Sequence, residues 1–431
     1  MNRKLTMVII CLVTISLFVI AGLKMYEGFT GNSTGVTDVA KGKDKKKDKD
    51  KEKAQPTVDI NQIRKDVLSQ ADVLYSGYFY NEAIELINQT PNIKNTETDE
   101  FITKCDTAVK GLVEYTGEVH HVFFHSLAVY PELTFDGDYK AEGYNMWMTT
   151  SDEFSKMLPL LQKNNFILVD IKDMYTLEND VVKEKKLILP KGKKALIISI
   201  DDVNYYEYMK GDGFANRLVI NDKGDVVTEV ITPKGETIQT YDGDVMPILD
   251  EYVKEHPEFS YRGAKGIMAV TGYEGALGYR ISDLKGQELT DALTELNAVV
   301  NRLKETGWHF ASHSYTHNNW FGDLTISMKE LKSDVKRWKQ FIVPGVAETE
   351  LYIAPFGTLL SGDRFDYIVK EGFNIYFPVG KGGGTTYTKN SMIQYRYNLD
   401  GYHMYDDAEY INKTFFNVKK VLDKKRPKKT W

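Results

Sequence analysis

Cysteine is close to absent. Of the two in 431 residues, Cys11 lies in an apolar N-terminal run and Cys105 stands alone. That excludes an internal disulfide framework and a thiolate zinc site, so any metal must rest on His and Asp. Clustered basic charge is also missing outside one linker. Lys and Arg number 55 against 61 Asp and Glu, for a net charge of -6, which argues against nucleic-acid binding. Apolar material is not scarce: 42% hydrophobic and 12% aromatic residues suffice for a real core in a chain long enough for two or three domains.

One long run, Leu5 to Leu23, carries no charge and is flanked by Arg3-Lys4 and Lys24. As a helix it spans about 28 Å, enough to cross a bilayer core. It exceeds a typical signal-peptide apolar region, and no Ala-x-Ala-like site ends it cleanly. Residues 1–24 are therefore expected to form an uncleaved signal anchor, basic end inside and the remainder exported to the outer face of the membrane. Cleavage and secretion is the alternative. Residues 25–56 contain the tract Lys41-Gly-Lys-Asp-Lys-Lys-Lys-Asp-Lys-Asp-Lys-Glu-Lys53 with no apolar period, which predicts a disordered tether. In residues 57–116, Ile60, Ile63, Val67, Ala71 and Leu74 recur at three and four, as do Ala83, Leu86 and Ile87. With Gly77 and Pro91 as punctuation, this predicts a small domain of about three helices.

Two later stretches carry chemistry. Ala195-Leu-Ile-Ile-Ser-Ile200 reads as a short buried strand and ends in Asp201-Asp202; Trp308 to Ser312 reads as another and ends in His313-Ser-Tyr-Thr-His317. In parallel α/β folds, chemistry gathers at the carboxyl ends of strands. Two imidazoles and one carboxylate make a tight divalent site with positions left open for water and substrate. Adjacent aspartates can divide the work, one holding the ion and the other taking a proton from water acidified to a pKa of roughly 7. Adjacent aspartates are also common in turns, and a lone His-x-x-x-His on a solvated helix usually means nothing. The two motifs are persuasive because each ends a predicted strand.

Ile198-Ser-Ile-Asp-Asp202 resembles the Thr-Phe-Asp-Asp-Gly motif of polysaccharide deacetylases, the NodB homology domain of carbohydrate esterase family 4. His313-Ser-Tyr-Thr-His317 matches that family's His-Ser/Thr-x-x-His motif. The resemblance runs from about Val119 to the C-terminus and is similar to the branch that acts on poly-N-acetylglucosamine. It implies an α/β fold, a distorted (β/α) barrel over residues 117–431 with a β-hairpin insertion at about 204–245. It further implies Asp202, His313 and His317 as ligands of a divalent ion, zinc, and Asp201 as the base. His125, closing the strand-like Val119-His-His-Val-Phe-Phe-His125, takes the place of the acid that protonates the leaving amine. Leu351-Tyr-Ile-Ala-Pro-Phe-Gly357 resembles the third motif, Arg-x-Pro-Tyr-Gly, which makes the Phe356 amide an oxyanion donor. The implied activity is hydrolysis of N-acetyl groups from an N-acetylglucosamine-containing polysaccharide.

The chain departs from the family in three places. Val203 replaces the glycine after the aspartates, Ile353 occupies the place of the arginine that would hold the base, and no Leu-x-His motif follows, His403 being in the wrong context. Arg396 is a substitute for the arginine, although a surface position is its plainer reading. Removal of O-acetyl groups from xylan, a non-catalytic glycan-binding role and non-haem iron chemistry are the rivals. Tyr205, Tyr206 and Tyr208 read as core before sugar platform, and Lys419 onward as a last helix with a solvated basic end, Lys424 to Lys429.

Overall fold

The computed structural model describes residues 59–382, 384–429 and 431; the expected signal anchor and tether lie outside them. Among the described residues no helix is long and apolar enough to cross a membrane. Contacts divide these residues into two units, 59–75 with 79–109, and 76–78 with residues 110 onward. The first is helical, built on Ile60–Ser76, Tyr80–Gln89 and Thr96–Lys110. Val67, Ala71, Ala83, Ile87 and Cys105 fill its interior, at the three- and four-residue spacing of one helix face. Burial pushes the Cys105 thiol up to about 11, so it packs as a small inert hydrophobe.

In the second unit parallel pairings link, in order, the strands His120–Phe124, Lys194–Ile200, Ile267–Val270, His309–Ser312, Leu351–Ile353, Ile375–Phe377 and Met392–Gln394. Three residues past Gln394, Tyr397–Asn398 pairs in parallel with His120–Phe124, so the sheet curls back to its first strand. This is the distorted (β/α) barrel that the motifs implied. Along each strand the side chains alternate in direction. Val122, Phe124, Leu196, Ile198, Ile200, Met268, Val270, Phe310, Tyr352 and Tyr376 join one apolar core with the surrounding helices. The opposite set, His121, Ser199, Gln394 and Arg396 among them, hydrogen-bonds across the lumen.

Helix ends follow local chemistry. Ser327 and Glu330 form the capping box expected ahead of Met328–Phe341, and Thr150 with Glu153 forms another ahead of Ser151–Lys163. Gly307 ends Gly286–Thr306 at φ 107°, where a Cβ would strike the Gly263 carbonyl oxygen; only glycine fits there. The expected hairpin is a three-stranded antiparallel sheet, Ala215–Ile220, Val226–Ile231 and Thr237–Thr240. Its Leu218, Val226 and Val230 belong to the main core. The C-terminal expectation needs correcting. In place of a last helix there is a single turn, Val418–Lys420, and Arg426 is buried, not solvated.

Asp244 caps Val245–Glu255 from a buried position, accepting from Leu127 N and Val245 N and from the Tyr205 hydroxyl at 2.7 Å. Burial outweighs these bonds and raises its carboxyl to about 6. A carboxyl raised in the folded state stabilises the fold while protonated, and that stability is lost as pH climbs from about 4 through about 6. The loss is expected to be about 3 kcal/mol. Asp244→Asn keeps an acceptor for both amides, and denaturant melts of it across pH 4.5–7.5 are expected to lack this slope.

Candidate metal centre

The carboxyl ends of neighbouring strands supply the centre. Asp201 and Asp202 follow Lys194–Ile200, Thr271 follows Ile267–Val270, and His313 follows His309–Ser312. One ligand atom each from Asp202, His313 and His317 lies within 4.8 Å of the others, so three groups remote in sequence can face one cation. His313 Nδ1 sits 2.8 Å from the Ile353 carbonyl oxygen, which fixes the ring and leaves Nε2, 4.0 Å from Asp202 Oδ1, turned to the centre. Asp202 Oδ1 accepts from the Tyr206 hydroxyl at 2.5 Å and Thr271 Oγ1 at 2.6 Å, so its carboxylate plane is set. The Tyr206 ring stacks with those of Tyr208 and Tyr273.

The His-Ser-Tyr-Thr-His loop is held from beneath by buried Asp334, which accepts from the amides of Tyr315 and Thr316, both at 2.8 Å. Asp202, Ser314, His317 and Phe356 all have positive φ, at 57°, 63°, 43° and 56°. Side-chain-bearing residues in the left-handed region cost free energy and collect at working sites. Electrostatics suit a cation. Burial alone would raise the Asp202 carboxyl, but His317, His313 and His125 outweigh it and hold it below the usual range. Burial lowers His313 against the pull of Asp201 and Asp202, favouring the neutral imidazole that a metal needs. The donor set, two imidazoles and a carboxylate, fits zinc with open positions.

No family model matches the chain, and no curated protein does. Solved structures do. A Streptococcus pyogenes deacetylase, PplD, in complex with acetate is similar at 14% identity, TM-score 0.40, over 69% of this chain and 98% of that one. A de-N-acetylase from Aggregatibacter actinomycetemcomitans is similar at 11%, TM-score 0.36, over 71% and 100%. IcaB from Ammonifex degensii is similar at 11%, TM-score 0.35, over 67% and 94%.

Asp201 is where sequence reasoning fell short. Arg396 is fully buried, and its Nη1 and Nη2 donate to Asp201 Oδ1 at 2.7 Å and Oδ2 at 3.0 Å. The surface reading of Arg396 is thus wrong: its guanidinium reaches Asp201 from the segment between Met392–Gln394 and Tyr397–Asn398. Burial would raise the Asp201 carboxyl; Arg396 and then His313 overcome it and keep it ionised. Val203 is accommodated too: with Asp202 in the left-handed region, the Val203 side chain is buried in the core.

His125 follows the first barrel strand, close enough to act electrostatically on both Asp201 and Asp202. Its buried Nδ1 has no hydrogen-bond partner among the described residues. Phe356 places its ring 4.5 Å from the His317 ring, with the side chain half-exposed. His403 is tied to Asp400, Nδ1 to Oδ1 at 2.7 Å, at the start of Gly401–Asp406. The tyrosines divide: Tyr205 and Tyr206 are buried, and Tyr208 is exposed.

Proposed function

We propose that this chain is a metal-dependent polysaccharide deacetylase that hydrolyses N-acetyl groups of an N-acetylglucosamine-containing glycan outside the cell, held at the membrane by its N-terminal apolar run. The observation that carries this reading is the juxtaposition of Asp202, His313 and His317 with a second carboxylate, Asp201, kept ionised by a buried arginine. A divalent ion held by the first three, zinc by the chemistry of the set, supplies Lewis acidity and an acidified water. Asp201 then takes the proton of the attacking water. The bidentate Arg396 clamp keeps one oxygen of Asp201 near the ligands and prevents its protonation at rest. The Phe356 amide donates to the oxygen that gains charge as the carbonyl carbon becomes tetrahedral. His125, at the end of the first barrel strand, gives a proton to the departing amine. Acetate leaves, and glucosamine stays in the chain.

The test is acetate release from chitooligosaccharides, with acetylxylan as the contrasting substrate. Release from the first, abolished by chelation and restored by zinc, is expected. Asp201→Asn is expected to lower kcat by about 10³-fold or more, in the range of losing an essential base, while retaining the bound metal. His313→Ala is expected to lose both activity and metal. Full activity in either variant overturns the assignment, and release from acetylxylan alone turns it into an O-acetyl esterase.

A further inference from the structure

Beneath Asp201 a polar chain runs through the barrel lumen, where barrels of this kind usually carry branched apolar side chains. His121 Nδ1 lies 3.1 Å from Gln394 Oε1, and His121 Nε2 lies 3.0 Å from Ser199 Oγ. Arg396 Nη1 reaches Ser199 Oγ at 3.0 Å as well as Asp201 Oδ1 at 2.7 Å. All five residues are buried. Valence sets the direction of every proton. Gln394 turns its amide nitrogen to Met174 Sδ at 3.6 Å, so its oxygen accepts and His121 Nδ1 carries the hydrogen. Burial, then the Arg396 charge, push His121 down to about 3, which leaves a neutral ring with a lone pair on Nε2. Ser199 directs its one proton there, and its oxygen is free to accept from Arg396.

The remaining restraints on Arg396 are few. Its Nε has no partner among the described residues, and one face of the guanidinium lies on the Phe123 ring, 4.2 Å from the centroid. Two carboxylate contacts alone permit the pair to pivot together; a third, from Ser199, fixes the plane. Apolar side chains of similar shape would fill the lumen without the desolvation that a buried polar chain costs.

We infer that Ser199 and His121 are positioning residues for the base, acting through Arg396 to hold the Asp201 carboxylate in the plane that faces the metal ligands. This rests on the deacetylase reading for its chemistry but not for its geometry, and the test has one arm for each. In the full-length chain, Ser199→Ala and His121→Phe are expected to lower kcat on chitooligosaccharides by about 10–100-fold, the usual range for residues supporting a metal site. KM and metal content should hold, and Ser199→Thr, which keeps the hydroxyl, should recover most of the rate. In the second arm the full-length chain is labelled with 15N-arginine, and no substrate is needed. The Arg396 Nη protons are expected to be resolved in the wild type and in Ser199→Thr, and averaged by rotation in Ser199→Ala and His121→Phe. Resolved signals in both latter variants overturn the inference, as does a rate loss accompanied by loss of metal. A wild type silent on every glycan defeats the deacetylase reading, and the nuclear magnetic resonance arm still decides this one.

Discussion

Arg396→Met is expected to abolish measurable acetate release and to cost the fold about 3–5 kcal/mol, the usual consequence of leaving one member of a buried ion pair alone. The two effects share a cause. Asp201 stays ionised because Arg396 offsets the burial that would otherwise raise its carboxyl. Without the guanidinium, burial dominates, the carboxyl takes up a proton, and the base is lost. Arg396→Lys is expected to fail nearly as badly. An ammonium cannot supply the two parallel donors now at 2.7 and 3.0 Å, nor lie flat on Phe123. The double variant Asp201→Asn with Arg396→Met separates the terms. Relative to Arg396→Met it should regain stability, because no carboxyl has to take up a proton in order to stay buried, and it should regain no activity. Denaturant melts and acetate release on the same four proteins check both. Equal stability of Arg396→Met and wild type would show that the pair does not matter to the fold.

The contrast between Arg396 and the ligands shows what a single sequence can disclose. Asp202, His313 and His317 were legible because each follows a short apolar run, and strand ends in parallel sheets are where side chains meet. The helix Ser151–Lys163 was legible for the same kind of reason, its Phe154, Met157, Leu158 and Leu161 all standing on one buried face. Arg396 was not, because nothing local to Tyr395-Arg-Tyr397 says which strand lies beside it. Its partner, Asp201, is 195 residues away, joined only when Tyr397–Asn398 pairs with the first strand and closes the barrel. Ser199 and His121 were hidden differently. Each sits in a mainly apolar run, Ser199 between two isoleucines and His121 before Val122-Phe-Phe124, and reads as a tolerated exception until the facing strand is known. Tyr206 belongs with them: its hydroxyl meets Asp202 across a turn in which Asp202 adopts a positive φ, a conformation that Val203 does not advertise.

The C-terminal segment escaped for the opposite reason, since a basic string looks solvated whatever one of its members does. Arg426 leaves that string and enters the interior. Its Nε and Nη2 donate to Glu153 Oε1 at 2.7 Å and Oε2 at 2.6 Å. Its Nη1 donates to the Asn145 carbonyl at 2.7 Å and side-chain oxygen at 3.0 Å, and Nη2 to the Met148 carbonyl at 2.8 Å. Glu153 also accepts from the Thr150 amide at 2.9 Å, closing the capping box of Ser151–Lys163. One charge therefore anchors the tail, the start of Ser151–Lys163 and the end of the helix Ala141–Trp147. Arg426→Ala, or deletion from Lys425 onward, strands Glu153 in the interior and is expected to cost about 3–5 kcal/mol. Adding Glu153→Gln to Arg426→Ala should return part of that, because the uncompensated charge goes, but not the three carbonyl contacts. Thermal and denaturant unfolding measure the stability, and acetate release at temperatures below the lowered midpoint measures the site. There the expected change falls on KM more than kcat, since Asn145 to Met148 close the helix Ala141–Trp147, in the segment leading from His125 and away from the metal ligands. If the deletion melts like the intact chain, the buried pair contributes nothing that the surrounding apolar contacts do not already supply.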